Sequence, residues 1–302
     1  MDKRLIIDNS SRVIVERKSL KSLISKNELV RLFGSNNAII ATLVEEAGFE
    51  GVGLSSFEAH ASCRLPDADL LTVSDYSNMC SKIFDRVSIP ILMDGDAGGG
   101  SPINTIRMVR EYEKNGAFGI CIEDNKYPKR CSFYSGVKRE LEDPRYHAMK
   151  IKAAKDNVIK DDFMIVARTE SLIVGNSIKD AIDRSNIYID HGADAILIHH
   201  KGDTPDKIFE FSDKFNHKVP LICVPTSYNQ VTEKQLIDNG FSVVIYANYG
   251  IRAAVKAVSE ILKTVAESGT LSSANDRVVS MEEIFRLICV DELKKNEVKY
   301  SI

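Results

Sequence analysis

Asp94 and Asp96 stand two apart in PILMDGD, and Glu123 closes the apolar run GICIE. Residues two apart on a strand face the same side, so the aspartates converge with Glu123 if its strand lies alongside. Three converging carboxylates repel one another unless a cation sits between them. An all-oxygen set with an open face suits Mg²⁺, or Mn²⁺. The competing reading makes one of these acids a helix cap, because βα loops often end in Asp. GDAGGGS follows the pair, and glycines there let backbone approach an anion closely, although such a run also makes a plain tight loop. Arg168 ends IVART and can grip a carboxylate or phosphate with two parallel N–H bonds; it can equally pair with Glu170 or a metal-site acid. His199, at the end of ILIHH, is placed to hydrogen-bond a substrate, more so than His200. Behind Glu123 runs a loop, GICIEDNKYPKRCSFYSG at 119–136, that carries Lys129, Cys131 and Ser132. A lone loop lysine is usually solvated, and this one gains interest from following a metal-ligand candidate. Cys131 is a nucleophile or acid, or an inert small residue; spacing alone does not choose.

These residues need elements that bring them together. Short β-rich runs recur at 29–34, 51–56, 90–96, 116–124, 162–169, 193–200, 219–226 and 241–248. Most are continuously apolar rather than alternating, as strands buried on both faces are. Between them the spacing is helical: in NTIRMVREYEKNG, Ile106, Val109 and Tyr112 share a face, and Gly116 follows where a C-cap glycine belongs. DAIDRSNIYIDHG and RAAVKAVSEILKTVAESG behave alike. Eight βα units predict an α/β fold, a closed (β/α)8 barrel of the TIM type, over an open doubly wound sheet. The open sheet would offer a glycine-rich phosphate turn after its first strand, and GSNNA is a poor one. The strand ends collect Ser55 and Ser56, Asp94 and Asp96, Glu123 and Asp124, Arg168 and Glu170, His199 and His200, Thr226 and Asn248. In a barrel these ends form one ring, where barrel active sites sit. The residues alone predict a Mg²⁺-dependent barrel enzyme for a small anionic substrate, with a mobile loop at 125–140. They leave the reaction open.

The bulk properties agree. The chain has 302 residues, 44% apolar and 27% charged, with net charge −3 and both signs mixed along it. That excludes a nucleic-acid footprint or an acidic tail, and no apolar run approaches a membrane span. The N-terminal MDKRLIIDNSSRVIVERK lacks the apolar core of a secretory signal, so the expected compartment is the cytoplasm. Six cysteines without a C-x-x-C pair read as reduced, mostly buried thiols. One domain is expected over 1–302, the barrel at 20–265 and a helical extension at 266–302, with one or two helices in 278–298.

EEAGFEGV, PILMDGDAGGG, GICIEDNKYPKRCS, IVARTES, GADAILIH, VPTSY, VIYANYGIRAA and EIFRL follow in that order from about residue 20. Together they resemble the phosphoenolpyruvate mutase/isocitrate lyase superfamily, and the last stretches look closer to its phosphonate branch. The resemblance implies a barrel whose last helix packs on a neighbouring subunit, in a homotetramer built from dimers. It implies Mg²⁺ held, largely through water, around Asp94, Asp96 and Glu123. It implies a 2-oxo-acid phosphate or phosphonate bound at Ser55, Ser56, Phe57 and Arg168, with Asn248 in the same set. Asp67, in RLPDAD, matches the family's catalytic aspartate beside the transferring phosphoryl group. Lys129, Ser132 and His199 match residues that hold that group or its transition state.

The loop departs from the mutase pattern of E-D-K, five residues, then N-S. Asn125 stands for the lysine and Cys131 for the asparagine that helps hold the phosphoryl group. K-R-C resembles the loop of carbon–carbon lyases, which follow it with Gly-His where Ser132 and Phe133 stand here. SSFEAHASCRLPDAD, TPDKI and VPTSYNQVTE look like phosphonopyruvate hydrolase, and Ala97 stands where the family often has threonine. The mutase reaction comes first, the hydrolase second, a lyase using Cys131 third. A barrel without chemistry would leave three carboxylates idle.

Overall fold

The computed structural model describes residues 17–216 and 218–301. Eight parallel strands close into a barrel in sequence order, with β1 pairing back onto β8. They are β1 Val30–Gly34, β2 Gly51–Leu54, β3 Ile91–Asp94, β4 Gly119–Glu123, β5 Met164–Thr169, β6 Ala195–Ile198, β7 Leu221–Cys223 and β8 Phe241–Tyr246. Helices α1 Leu20–Ile24, α2 Ala38–Glu46, α3 Ser56–Ser62, α4 Val73–Phe84, α5 Pro102–Lys114 and α6 Pro144–Lys155 belong to the first half. Then come α7 Ile178–Asp190, α8 Asp206–Lys214, α9 Glu233–Asp238, α10 Tyr249–Ser268, α11 Met281–Leu287 and α12 Val290–Tyr300. The closed order rules out the open sheet. Up to residue 16, the stretch read for a signal lies outside the described residues.

The apolar runs become strands because both faces are covered. β2, β4 and β6 are buried along their whole length. Each side chain fully buried there, such as Ile120 or Ile122, contributes about 1.5–3 kcal/mol relative to exposure. α5 shows how a helix is fixed between two strands. Ser101 accepts a cap bond from Asn104 N–H, Pro102 opens the first turn, and Thr105, Met108, Val109 and Tyr112 face the core. Gly116 ends it in the left-handed region (φ 99°). A Cβ there would lie 2.2 Å from the Phe84 ring, so this position requires glycine for its conformation and its space.

The chain divides into two compact units, Arg17–Asn248 and one beginning at Tyr249. The first holds all eight strands. The second holds α10, a 3-10 segment at Leu271–Arg277, and α11 and α12, so 278–298 contains two helices. In α10, Ile251, Val255, Val258, Leu262 and Val265 recur at alternating spacings of four and three. None is buried by its own unit. No helix among the described residues is long and apolar enough to cross a membrane.

Candidate active site

β3 ends on Asp94, and the chain passes Asp96 in the left-handed region (φ 46°). Ser56, the first residue of α3, donates from its N–H and Oγ to Asp94 Oδ2 at 3.3 and 2.9 Å. Asp96 N–H reaches Asp94 Oδ1 at 3.2 Å. Lys129 comes in from the β4–α6 loop. Its Nζ lies 2.7 Å from both Asp96 Oδ1 and Asp67 Oδ1 and donates to Ser56 Oγ at 2.9 Å. Its N–H donates to Asp69 Oδ2. Lys129, Asp67 and Asp96 are all buried. Burial alone would favour a neutral lysine, but Asp96 and Asp67 beside it push its pKa well up, and it stays cationic. Burial lifts the Asp96 carboxyl well above the usual carboxylate range. Burial also pushes Asp94 upward, yet Lys129 and Arg168 hold it below that range.

A second group continues around the ring. Glu123 and Arg168 face each other in the β4–β5 register, with Arg168 Nη2 3.3 Å from Glu123 Oε2. Asn125 Nδ2 donates to Glu123 Oε1 at 2.7 Å. Burial, opposed by Arg168, lifts the Glu123 carboxyl to about 7. Arg168 Nε donates to Glu170 Oε1 at 2.6 Å. His199 Nδ1 meets the same oxygen at 2.7 Å, and Ser132 Oγ donates to Glu170 Oε2 at 2.8 Å. Burial opposes charge on Glu170, but Arg168 and His199 outweigh it and hold the carboxylate far below its usual range. Burial likewise pushes His199 down; its Nδ1 lies between Glu170 Oε1 at 2.7 Å and Arg168 Nη2 at 2.9 Å. Asp124 points away from the ring. It accepts from Thr169 Oγ1, Glu170 N–H and Tyr188 OH at 3.0, 2.8 and 2.7 Å, and so ties β4 to β5 and α7.

The loop lies over both groups. Its neck is closed by a bridge between Asn125 and Leu141, with Lys126 N–H on Glu140 O at 2.9 Å and Glu142 N–H on Asp124 O at 2.8 Å. Its tip reaches from Asp67 to the end of β6. Cys131 N–H donates to Asp67 O at 3.3 Å, and Tyr134 OH accepts from Asp67 N–H at 2.8 Å. Phe133 stands edge-on to the His199 ring at 6.5 Å. Arg139 crosses the loop and donates to the carbonyls of Cys131 and Tyr134. Cys131 is buried, and burial pushes its thiol up. The resting side chain is therefore a thiol, not a thiolate.

The protein-family model for phosphoenolpyruvate phosphomutase matches residues 20–266. The chain belongs to this family. It is 35% identical to phosphoenolpyruvate phosphomutase from Tetrahymena pyriformis, over 93% of this chain and 94% of that one. It is also 35% identical to phosphonopyruvate hydrolase from Variovorax sp. (strain Pal2), over 95% and 99%. Among solved structures it is similar to the phosphoenolpyruvate phosphomutase of Streptomyces platensis subsp. rosaceus, with TM-score 0.92 at 35% identity over 94% and 98%. A phosphonopyruvate hydrolase solved with oxalate and Mg++ gives TM-score 0.88 at 36% identity over 93% and 97%. Relatives named as lyases of 2-methylisocitrate and 2,3-dimethylmalate match as well.

Within this phosphomutase-family barrel, most residues expected from the sequence meet in one place. Asp67, Asp94, Asp96, Lys129 and Ser56 form the first group, and Glu123, Arg168, Ser132 and His199 the second. Ser55 caps α3, accepting from Glu58 N–H at 3.5 Å. Phe57 follows it, half-buried. Asn248 comes two residues after β8 in the left-handed region (φ 60°), and its N–H serves the buried Glu58 carboxyl. His200 stacks on Tyr228, away from the ring acids. Arg168 makes the protein contacts that the competing reading assigned to it, with Glu170 and Glu123. Glu170 was expected only in the strand-end ring and as a partner of Arg168, and Asp69 was not expected at all, although signals for both were present. Glu170 lies two residues beyond Arg168, and Asp69 two beyond Asp67 in PDAD.

Among the described residues, no three His, Cys, Asp or Glu side chains are grouped tightly enough to ligate a metal ion directly. The charge balance still suits a cation reached through water. Among the described residues, Asp67, Asp69, Asp94, Asp96, Glu123 and Glu170 share two permanently charged partners, Lys129 and Arg168, beside the imidazoles of His60 and His199. Burial lifts Asp69, Asp96 and Glu123, and neighbouring acids add to it: Asp67 and Asp94 beside Asp69 and Asp96, Glu170 and Asp94 beside Glu123.

Proposed function

We propose that the protein interconverts phosphoenolpyruvate and phosphonopyruvate. The observation that carries this is Asp67, a buried carboxylate 2.7 Å from the Lys129 ammonium and covered by the loop that supplies the lysine. A loose, metaphosphate-like phosphoryl group needs cationic and hydrogen-bonding neighbours and the absence of water. In this reading the C–P bond of phosphonopyruvate breaks, and its electron pair stays on pyruvate as the enolate. The phosphoryl group is held near Asp67 by Lys129, Ser132 and His199. The enolate oxygen then takes it up to give phosphoenolpyruvate. Ser55, Ser56, Phe57, Arg168 and Asn248 orient the 2-oxo acid. A Mg²⁺ ion carried near Asp94, Asp96 and Glu123 would supply positive charge to the substrate oxygens. The oxalate and Mg++ in the solved hydrolase support that role.

Hydrolysis of phosphonopyruvate to pyruvate and phosphate is the second reading, and Cys131 favours it. A thiol is a weaker donor than the asparagine amide of the mutase pattern, so the phosphoryl group is held less firmly and water can take it. Carbon–carbon cleavage with Cys131 as the acid is third. A homotetramer belongs to the same reading, and the apolar stripe left exposed on α10 supports a subunit contact there.

Phosphorus NMR with phosphonopyruvate and Mg²⁺ tests this. Phosphoenolpyruvate is the expected product. Inorganic phosphate with pyruvate would mean the hydrolase, and an unchanged spectrum would remove both.

A further inference from the structure

The segment that carries Asp67 is an irregular strap between α3 and α4. Two of its non-glycine residues, Arg64 and Asp69, lie in the left-handed region with φ of 56°. Such backbone costs about 1–3 kcal/mol per residue and persists only where the surroundings fix it. One side chain bonds to it at several points. His60, fully buried on α3, accepts from the backbone N–H groups of Leu70 and Leu71 at 3.1 and 3.3 Å on Nε2. An Nε2 that accepts leaves the ring hydrogen on Nδ1. Nδ1 lies 2.8 Å from Ser56 O, 3.4 Å from Asp67 Oδ1 and 3.3 Å from Tyr76 OH, which donates to Asp96 Oδ2 at 3.3 Å. One imidazole thus ties together the start of α3, the strap and the Asp96 turn.

The strap is also the surface on which the loop closes. Lys129 N–H, Lys129 Nζ, Cys131 N–H and Tyr134 OH all bond to Asp67 or Asp69. We propose that His60 is a positioning residue that sets Asp67 in place and builds the dock for the loop. It touches neither substrate nor the reacting atoms. A loosened strap would misplace Asp67 and leave the loop badly seated, so water would reach the phosphoryl group. This rests on the proposed phosphoryl transfer.

Three variants separate the two ends of the imidazole. Gln places its carbonyl where Nε2 sits, Asn replaces only the Nδ1 end, and Phe keeps the volume and neither function. The expected order of kcat on phosphonopyruvate is wild type, then His60→Gln, His60→Asn and His60→Phe. The last should fall about 10²-fold, as a misplacement of about 1 Å does, with KM changed much less. The ratio of inorganic phosphate to phosphoenolpyruvate should rise in the same order. So should the rate of tryptic cleavage after Arg130 and Lys138. A His60→Phe enzyme with wild-type product ratio and wild-type cleavage rate would overturn the proposal, as would Asn and Gln variants that behave alike. If the wild type converts neither substrate, the functional reading falls. The cleavage order still decides on His60.

Discussion

Asp67 is the residue on which the phosphoryl reading turns. Asp67→Ala should lower turnover of phosphonopyruvate by about 10³-fold or more, as the loss of a group serving the transition state does, while circular dichroism keeps its barrel signature. Full turnover in this variant would end the phosphoryl-transfer assignment. Cys131→Ser should be tolerated within about tenfold by such an enzyme, whereas a lyase would lose its acid. Glu123 gives a pH signature. Its carboxyl sits at about 7 in the folded chain, against 4.5 for the unperturbed group. Between these values the folded chain keeps a proton that the unfolded chain has lost, so stability from this group declines as pH rises through that window. A cation near Glu123 favours the ionised form. Mg²⁺ affinity should therefore increase with pH up to about 7, with proton uptake by the buffer seen in calorimetry and reduced in Glu123→Gln. Affinity independent of pH from 5 to 7 would place Glu123 away from the ion. The sequence announced these side chains by type and by strand-end position. It announced Arg168 as a partner for Glu170 or a metal-site acid, and both contacts form. It could not announce that Asn125 would hold Glu123, or that His199 would join Arg168 from the next strand.

At the level of elements, periodicity carried the barrel. Apolar runs became largely buried strands, β2, β4, β6 and β7 along their whole length. Of the α5 face expected from Ile106, Val109 and Tyr112, the last two are buried, with Thr105 and Met108 beside them, while Ile106 is only partly covered. Gly116 was readable as a helix terminator. That the Phe84 ring fills the space where its Cβ would lie was not, because Phe84 arrives from α4. Gly116→Ala combines left-handed strain with overpacking and should cost about 2–4 kcal/mol. A lower urea midpoint at unchanged slope would show it. A midpoint equal to wild type would mean that Phe84 moves aside freely. The strap and the β4–α6 loop were the least legible parts. Neither has a period, and their shapes come from single side chains such as His60 and Arg139 that bond to backbone far along the chain.

For the whole molecule, the second unit offers an apolar stripe on α10 that its own helices do not cover. The proposed homotetramer should elute with about four times the 33.6 kDa chain mass in light scattering. Leu262→Lys, placed on that stripe, should shift the assembly toward smaller species. An unchanged mass would locate the contact elsewhere. Sequence spacing showed the stripe, since heptad-like recurrence within one helix is local information. Which surface receives it is a property of two chains, and no single sequence pattern states it.

The neck of the β4–α6 loop has one more consequence. Because Asn125 and Leu141 lie side by side, everything between them enters and leaves the barrel through a single doorway. The strands and the apolar core lie outside the doorway, although Lys129, Cys131 and Ser132 reach from the loop into the buried site. The fold can thus be seen as a fixed chassis with an exchangeable cover, and the cover holds Cys131, the residue on which the three proposed reactions differ. A chimera that carries residues 127–139 from a hydrolase or a lyase relative should melt close to the parent and change what it makes. A chimera that melts like the parent and makes a different product would show that the choice of reaction is separable from the ability to fold; one that fails to fold would show that it is not.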